Sequence, residues 1–170
     1  NMGTPHHITL STSRQTPTPK PRVDASEALS TGHPTVQSLY VHTPFCVHKC
    51  HYCDFYSIVD SQDRQRGFLT RLVDELRALA PHAHGAPMRT IFVGGGTPSL
   101  LRVELWRELL SEIHRLFDLS LATEQLSGRN NPGDPGFEFT VECNPESATL
   151  ELLSVLHAGG VNRVSVGAQS

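Results

Sequence analysis

Three of the chain's four cysteines lie within eight residues, in the stretch TPFCVHKCHYCDFYS at positions 43–57. Cys46, Cys50 and Cys53 follow the spacing C-x3-C-x2-C, so that one loop can present three thiolates to a common centre. Thiolates are soft ligands that suit iron–sulfur clusters and zinc. The loop therefore predicts a metal centre.

The residues alone leave three interpretations of this loop open. A cube of four irons that is held by three cysteines leaves one iron free to bind a small molecule. A structural zinc ion prefers four protein ligands, and His48, His51 or Cys143 would complete such a set. The third interpretation is a loop of unligated thiols. Free cysteine is normally buried singly as a small hydrophobe, so the crowding favours the cluster.

Strand and helix patterns alternate along the rest of the chain. Apolar, β-branched stretches predict strands at positions 38–43, 90–94, 137–142 and 163–167, and helical spacing predicts helices at 62–80 and 102–117. A third helix, capped by Ser147, is expected to run to about His157. Positions 127–136 read SGRNNPGDPG and predict a surface loop. The order β-α-β-α-β-α-β predicts an α/β fold with a parallel sheet, either a small open sheet or the first half of a barrel.

Each predicted strand delivers polar or special residues at its carboxyl end, where parallel α/β folds gather their chemistry. The first strand leads into the cysteine loop. The second leads into a glycine turn, the third into Glu142 and the fourth into Gly167 and Gln169. We therefore expect the sulfurs, the glycine turn, a carboxylate and an amide to face one cavity.

The bulk composition limits the remaining possibilities. Residues 1–36 are rich in Thr, Ser, Pro and His and predict a flexible tail, which leaves residues 37–170 as the ordered core. The last predicted strand lies three residues from the end of the chain, so we expect the N-terminal portion of a larger, here incomplete, fold.

A formal net charge of −3 gives no support to nucleic-acid binding through a basic face. No apolar run reaches the roughly 20 residues of a membrane span. Crowded cysteines without a secretion signal favour a cytoplasmic location with reduced or metal-bound thiols.

Four motifs in order resemble the radical S-adenosylmethionine (SAM) superfamily. They are YVHTPFC with its cysteine spacing, GGGTPSLL at 94–101, ECNPES at 142–147 and AGGVNRVSVGAQS at 158–170. Within the superfamily they resemble the family of the haem chaperone HemW and the oxygen-independent coproporphyrinogen III oxidase. The resemblance covers residues 38–170. It implies a parallel β/α half-barrel, built from the first four βα units of a partial TIM-like barrel.

The resemblance also implies a cofactor set and its ligands. Cys46, Cys50 and Cys53 would bind a [4Fe–4S] cluster, whose free iron would hold the amino and carboxylate groups of SAM. Glycine allows close approach of backbone N–H groups to a ligand, and a carboxylate can pair with a sulfonium, an amino group or ribose hydroxyls. The alternatives are a simple tight turn for the glycines, a solvated charge for the carboxylate and packing roles for the other side chains. The implied SAM contacts are Tyr40, Tyr52, Gly95, Gly96, Thr97, Glu142 and Gln169.

One departure separates the two branches of the family. The coproporphyrinogen oxidases carry a further cysteine two positions after the third ligand, whereas Phe55 stands there in this chain. The resemblance therefore implies a haem chaperone-like protein that handles haem or transfers it to an acceptor protein, with flavodoxin or ferredoxin as electron donor. Its haem-binding segment would lie beyond Ser170. The alternatives are radical oxidative decarboxylation of coproporphyrinogen and a zinc-stabilised binding module, so enzymatic activity stays open. His42, His48 and His51 receive no assigned role.

Overall fold

The computed structural model describes residues 36–59, 63–126 and 136–167. Residues 1–35 of the predicted tail, most of the predicted loop at 127–136, and Gln169 lie outside these ranges. The helices are α1 (Gln65–Leu79), α2 (Val103–Leu116), α3 (Ser120–Leu126) and α4 (Leu150–Ala158). The strands are β1 (Ser38–Thr43), β2 (Phe45–Cys46), β3 (Ile58–Val59), β4 (Thr90–Gly95), β5 (Glu138–Cys143) and β6 (Arg163–Val166).

Four of these strands form a parallel sheet in the order β1-β4-β5-β6. Each strand neighbours the next one along the chain, and α1, α2 and α4 lie in the three connections. This arrangement confirms the predicted parallel β/α fold. It also brings the carboxyl ends of all four strands to one edge of the sheet, because parallel strands share their direction.

One face of the sheet carries the hydrophobic core. Alternate residues of the strands are buried there, among them Val41, Val93 and Val141. They belong to the same buried cluster as one stripe of each long helix, and Trp106 at its centre is fully buried. The indole Nε1 of Trp106 donates a hydrogen bond to the carbonyl of Pro98 at 3.2 Å, which satisfies its polar atom. The core thus ties α2 to the segment that follows the glycine turn.

The opposite face of the sheet is more polar and more open. Tyr40, Phe92, Thr140 and Arg163 pair in register across the four strands and form one row. Tyr40 stacks on Phe92 with ring centroids 6.0 Å apart, and the Arg163 guanidinium donates to the Thr140 hydroxyl. Glu142 lies one pleat closer to the carboxyl edge and points to this same face.

The structure corrects one local prediction and adds two features that the sequence did not predict. Thr149, and not Ser147, caps α4, since the Leu152 N–H donates to the Thr149 hydroxyl at 3.2 Å. The Ser147 hydroxyl is instead paired with Ser99. Helix α3 was not predicted, and neither was the two-stranded parallel sheet of β2 and β3. In the part of the chain that the structure describes, no helix is both long and apolar enough for a membrane span.

Candidate functional site

The cysteine loop leaves β1 and is closed at its base by the β2–β3 pair. Phe45 pairs with Ile58, Cys46 pairs with Val59, and the Ile58 N–H donates to the carbonyl of Pro44 at 2.7 Å. These contacts hold the two ends of the loop together. Cys46 therefore lies in a short strand and not in free loop, which fixes its backbone relative to the sheet.

All three cysteines of the loop are half-buried, and a tight turn joins the last two. In that turn the Cys53 N–H donates to the carbonyl of Cys50 at 3.2 Å. The exposed Tyr52 lies against these two thiols. A hydrogen bond with Cys50, together with the charges of Cys50 and Cys53, raises the pKa of the Tyr52 phenol. The structure thus places Tyr52 beside two of the predicted cluster ligands.

The loop carries three thiols, a donor set that suits an iron–sulfur cluster. Among the described residues, no three His, Cys, Asp or Glu side chains lie close enough together to hold one metal ion. A tetrahedral zinc ion with bonds of about 2.3 Å keeps its sulfur ligands roughly 3.8 Å apart. A cube binds each sulfur at a different iron, so it tolerates a wider separation. The described residues give the zinc interpretation no support, whereas three thiols on one loop fit the chemistry of a cluster.

The backbone N–H groups of the glycine turn already donate hydrogen bonds to other parts of the chain. The Gly95 N–H donates to Glu142 Oε2 at 3.1 Å. The Gly96 N–H donates to the carbonyl of Thr43 at 2.7 Å, and the Thr97 N–H donates to the carbonyl of Phe45 at 2.6 Å. Contact of these three residues with a ligand would therefore use their carbonyls or the Thr97 hydroxyl. The turn conformation itself requires glycine at Gly95, whose φ is +108°.

Glu142 extends from β5 toward the same turn. Its carboxylate is partly buried and accepts the Gly95 N–H, so the side chain is already oriented by the backbone. On the same face of the sheet, partial burial raises the pKa of the Tyr40 phenol, and the Glu142 charge adds to this rise. Tyr40 and Glu142 are thus electrostatic neighbours on one face of the sheet.

Two adjoining cavities lie at the carboxyl edge of the sheet. The smaller, about 240 Å³, is lined by Thr97 and Glu142 and reaches the end of β6. The larger, about 680 Å³, is lined by Cys50 and Tyr52 of the cysteine loop. Both cavities are also lined by Asn144 and Gly167. Their combined size is in the range of sites for small molecules, about 300–1,000 Å³. The structure thus brings residues of all four predicted strand ends around one space.

Sequence reasoning assigned no role to His42, which does not line either cavity but contacts three segments that border the site. Its Nε2 lies 2.8 Å from the carbonyl of Tyr56, and its Nδ1 lies 3.2 Å from the Tyr40 hydroxyl. A Cβ on Gly95 would come within 2.5 Å of the His42 ring. His42 therefore links β1, the far end of the cysteine loop and the glycine turn. Its position two residues after Tyr40, on the same face of a strand, was the available signal.

A pair of serines joins the segment after the glycine turn to the segment after β5. The hydroxyls of Ser99 and Ser147 lie 2.6 Å apart, and Ser99 Oγ also accepts the Asn144 N–H at 3.0 Å. Next to them Cys143 is buried, and this burial raises the pKa of its thiol, in part offset by a hydrogen bond with Ser99. Cys143 alternates with Glu142 along β5 and belongs to the core face. This placement agrees with the predicted buried thiol, which also borders the smaller cavity.

The chain matches a known protein family in sequence and in fold. The model of the radical SAM superfamily matches residues 40–170. The chain belongs to the radical SAM superfamily. Its fold is also similar to the solved structure of coproporphyrinogen III oxidase (HemN) from Escherichia coli, a radical SAM enzyme. The two share a TM-score of 0.66 and 29% sequence identity, over 84% of this chain and 30% of that one.

Curated relatives point to one branch of the superfamily. The chain is 34% identical to heme chaperone HemW of Bacillus subtilis over 79% of its own length, and 34% identical to that of Escherichia coli over 78%. It is 36% identical to heme chaperone HemW of Mycobacterium tuberculosis, also over 78%. The chain spans about a third of the length of these relatives, 31–32%. The matches confirm the predicted resemblance to the HemW/HemN-like members of the superfamily.

Proposed function

We propose that residues 37–170 carry the N-terminal portion of a radical SAM core, in which Cys46, Cys50 and Cys53 bind a [4Fe–4S] cluster. The observation that carries this proposal is the closed loop, which presents three half-buried thiols at the carboxyl edge of a parallel sheet. Such a cluster supplies one-electron chemistry and an open iron when it is bound. SAM would occupy the adjoining cavities.

The chain's own residues would orient SAM in distinct ways. The Glu142 carboxylate, held by the Gly95 N–H, offers a fixed negative charge to the sulfonium or amino group, or an acceptor to the ribose. Tyr40, a neighbour of Glu142, and Tyr52, which lines the larger cavity, would offer aromatic and hydroxyl surface to SAM. Gly95, Gly96 and Thr97 would border the ligand through carbonyls and the Thr97 hydroxyl. Gln169 is proposed as a further SAM contact because it lies in one of the motifs that resemble the family; no structural observation supports it.

The protein that contains this chain is proposed to handle haem in the manner of a haem chaperone. Similarity to several proteins named heme chaperone HemW supports this, and so does Phe55 at the place of the further cysteine of the oxidases. Its partners would be haem or a porphyrin, an acceptor protein, and an electron donor such as flavodoxin or ferredoxin. A cytoplasmic location is part of the same proposal.

The second candidate function is oxidative decarboxylation of coproporphyrinogen III, which the structural similarity to HemN favours. One experiment separates the two. The anaerobically reconstituted chain, and a longer version that spans the full length of the relatives, are titrated with haem and assayed with SAM and coproporphyrinogen. Stoichiometric haem binding without turnover supports the chaperone. Coproporphyrinogen consumption with release of 5′-deoxyadenosine would overturn it in favour of the oxidase.

A further inference from the structure

The glycine turn holds the segment that leads into the first cysteine. Two successive N–H groups, of Gly96 and Thr97, donate to the carbonyls of Thr43 and Phe45 at 2.7 and 2.6 Å. Phe45 directly precedes Cys46 in the chain. The turn therefore fixes the backbone of the segment that directly precedes Cys46.

The absence of a side chain at Gly96 makes this close approach possible. A Cβ at this position would lie 2.6 Å from the carbonyl oxygen of Phe45 and 2.8 Å from the carbonyl carbon of Pro44. Both atoms belong to the backbone, which the pairing of β2 with β3 holds in place. A larger residue would have to push the cysteine loop away from the turn.

The next residue of the turn reaches the sulfur itself. Thr97 Oγ1 lies 3.9 Å from Cys46 Sγ, a hydrogen-bond contact in which the hydroxyl donates. Both residues are half-buried, so this contact is partly shielded from water. Hydrogen bonds to the sulfurs of an iron–sulfur cluster tune its reduction potential.

We propose that Gly96 and Thr97 are positioning residues for Cys46, and that the Thr97 hydroxyl raises the reduction potential of the cluster. The part that concerns the potential rests on the proposed function, since it needs a cluster on Cys46. A donor to the sulfur stabilises the reduced cluster more than the oxidised one, because the reduced cluster is more negative. In this role the turn supports the cluster, and the N–H groups of Gly96 and Thr97 serve the segment that leads into Cys46 and not a ligand.

The effect of the Thr97 hydroxyl on the reduction potential is tested with two variants of Thr97. Thr97→Val removes the donor and keeps the shape, while Thr97→Ser keeps the donor. Each chain is reconstituted anaerobically, and the cluster is titrated in the absence of SAM while its EPR signal is followed. We expect the midpoint potential of Thr97→Val to be more negative than that of the unchanged chain at equal iron content, with Thr97→Ser close to the unchanged chain. An unchanged potential in Thr97→Val would overturn the proposed tuning.

The backbone contact is tested without iron. In the apo chain we expect the amides of Gly96 and Thr97 to be protected from hydrogen exchange. Gly96→Ala should remove the protection at Thr97 and lower the iron bound after reconstitution severalfold. Gly67→Ala is the matched control, because a Cβ on Gly67 meets no atom within 4 Å. Freely exchanging amides in the unchanged chain, or full iron content in Gly96→Ala, would overturn the positioning role.

These measurements separate failure of this inference from failure of the proposed function. If the unchanged chain binds no cluster, the proposed function fails, and with it the proposed tuning, while amide protection still decides whether the turn positions Cys46. If the unchanged chain binds a cluster and Thr97→Val leaves the potential where it was, the proposed function stands and the tuning is overturned.

Discussion

Cys50 offers the most direct single-residue test of the cluster ligands. It lies against Tyr52 and lines the larger cavity. Replacing Cys50 with Ala removes one of the three proposed protein ligands, so we expect the variant to bind no cluster, as measured by iron and sulfide per chain after anaerobic reconstitution. Cys143→Ala is the control, because Cys143 is a buried thiol on the core face and should leave the iron content unchanged. Full iron content in Cys50→Ala would contradict the assignment.

Glu142 is expected to serve SAM and not the cluster. Glu142→Ala should leave the iron content intact and weaken SAM binding, measured by anaerobic calorimetry. The loss of a hydrogen bond to a charged group, about 1.5–3 kcal/mol, corresponds to roughly tenfold or more in affinity. Glu142→Gln keeps an oxygen for the Gly95 N–H and removes the charge, so it tells whether the charge or the position matters. If SAM affinity in Glu142→Ala equals that of the unchanged chain, the role of Glu142 is structural.

The sequence predicted which residues meet at the site better than it predicted what each of them does there. The cysteines, the glycine turn and Glu142 follow strand ends, and parallel topology alone brings strand ends together. Their hydrogen bonds depend on distances between segments that are far apart in the chain. For this reason the engagement of the turn N–H groups, the pairing of Ser147 with Ser99 and the contacts of His42 became evident only in the structure.

Among the elements, the packing of α4 against α2 depends on one small residue. A Cβ on Gly159, just after α4, would lie 2.5 Å from a methyl group of Leu110, which is itself buried. We expect Gly159→Ala to lower the free energy of unfolding by about 1–3 kcal/mol, the usual cost of overpacking. Gly67→Ala in α1 should be neutral or stabilise by roughly 0.5–1 kcal/mol, because Gly is a poor helix former. Urea unfolding followed by circular dichroism compares the two variants, and equal stability would contradict this account of the packing.

Most elements were predictable, and the exceptions have local causes. The long strands and helices are predicted by an apolar periodicity that spans many residues. The strands β2 and β3 have two residues each, too few for any periodic signal, and they form through pairing across the cysteine loop. Ser147 satisfied the local rule for a cap, yet its hydroxyl is taken by Ser99 and Thr149 caps α4 in its place.

At the scale of the whole molecule, strand β6 carries exposed apolar side chains. Val164 and Val166 are 39% and 52% exposed, and within the described residues β6 pairs only with β5. An edge strand of this kind is a template for further pairing. We expect the 170-residue chain to self-associate as its concentration rises, as measured by sedimentation velocity, and Val166→Lys to reduce the association. A chain that stays monomeric at all concentrations would contradict this expectation.

The central claim is that the cysteine loop holds a four-iron cluster with one iron open to SAM. The measurement that tests it most directly is the EPR spectrum of the anaerobically reconstituted and reduced chain, recorded without and with SAM. We predict the signal of a reduced [4Fe–4S] cluster with about four irons per chain, and a change in that signal when SAM is added. A chain that binds zinc in place of iron, or a cluster signal that SAM leaves unchanged, would contradict the claim.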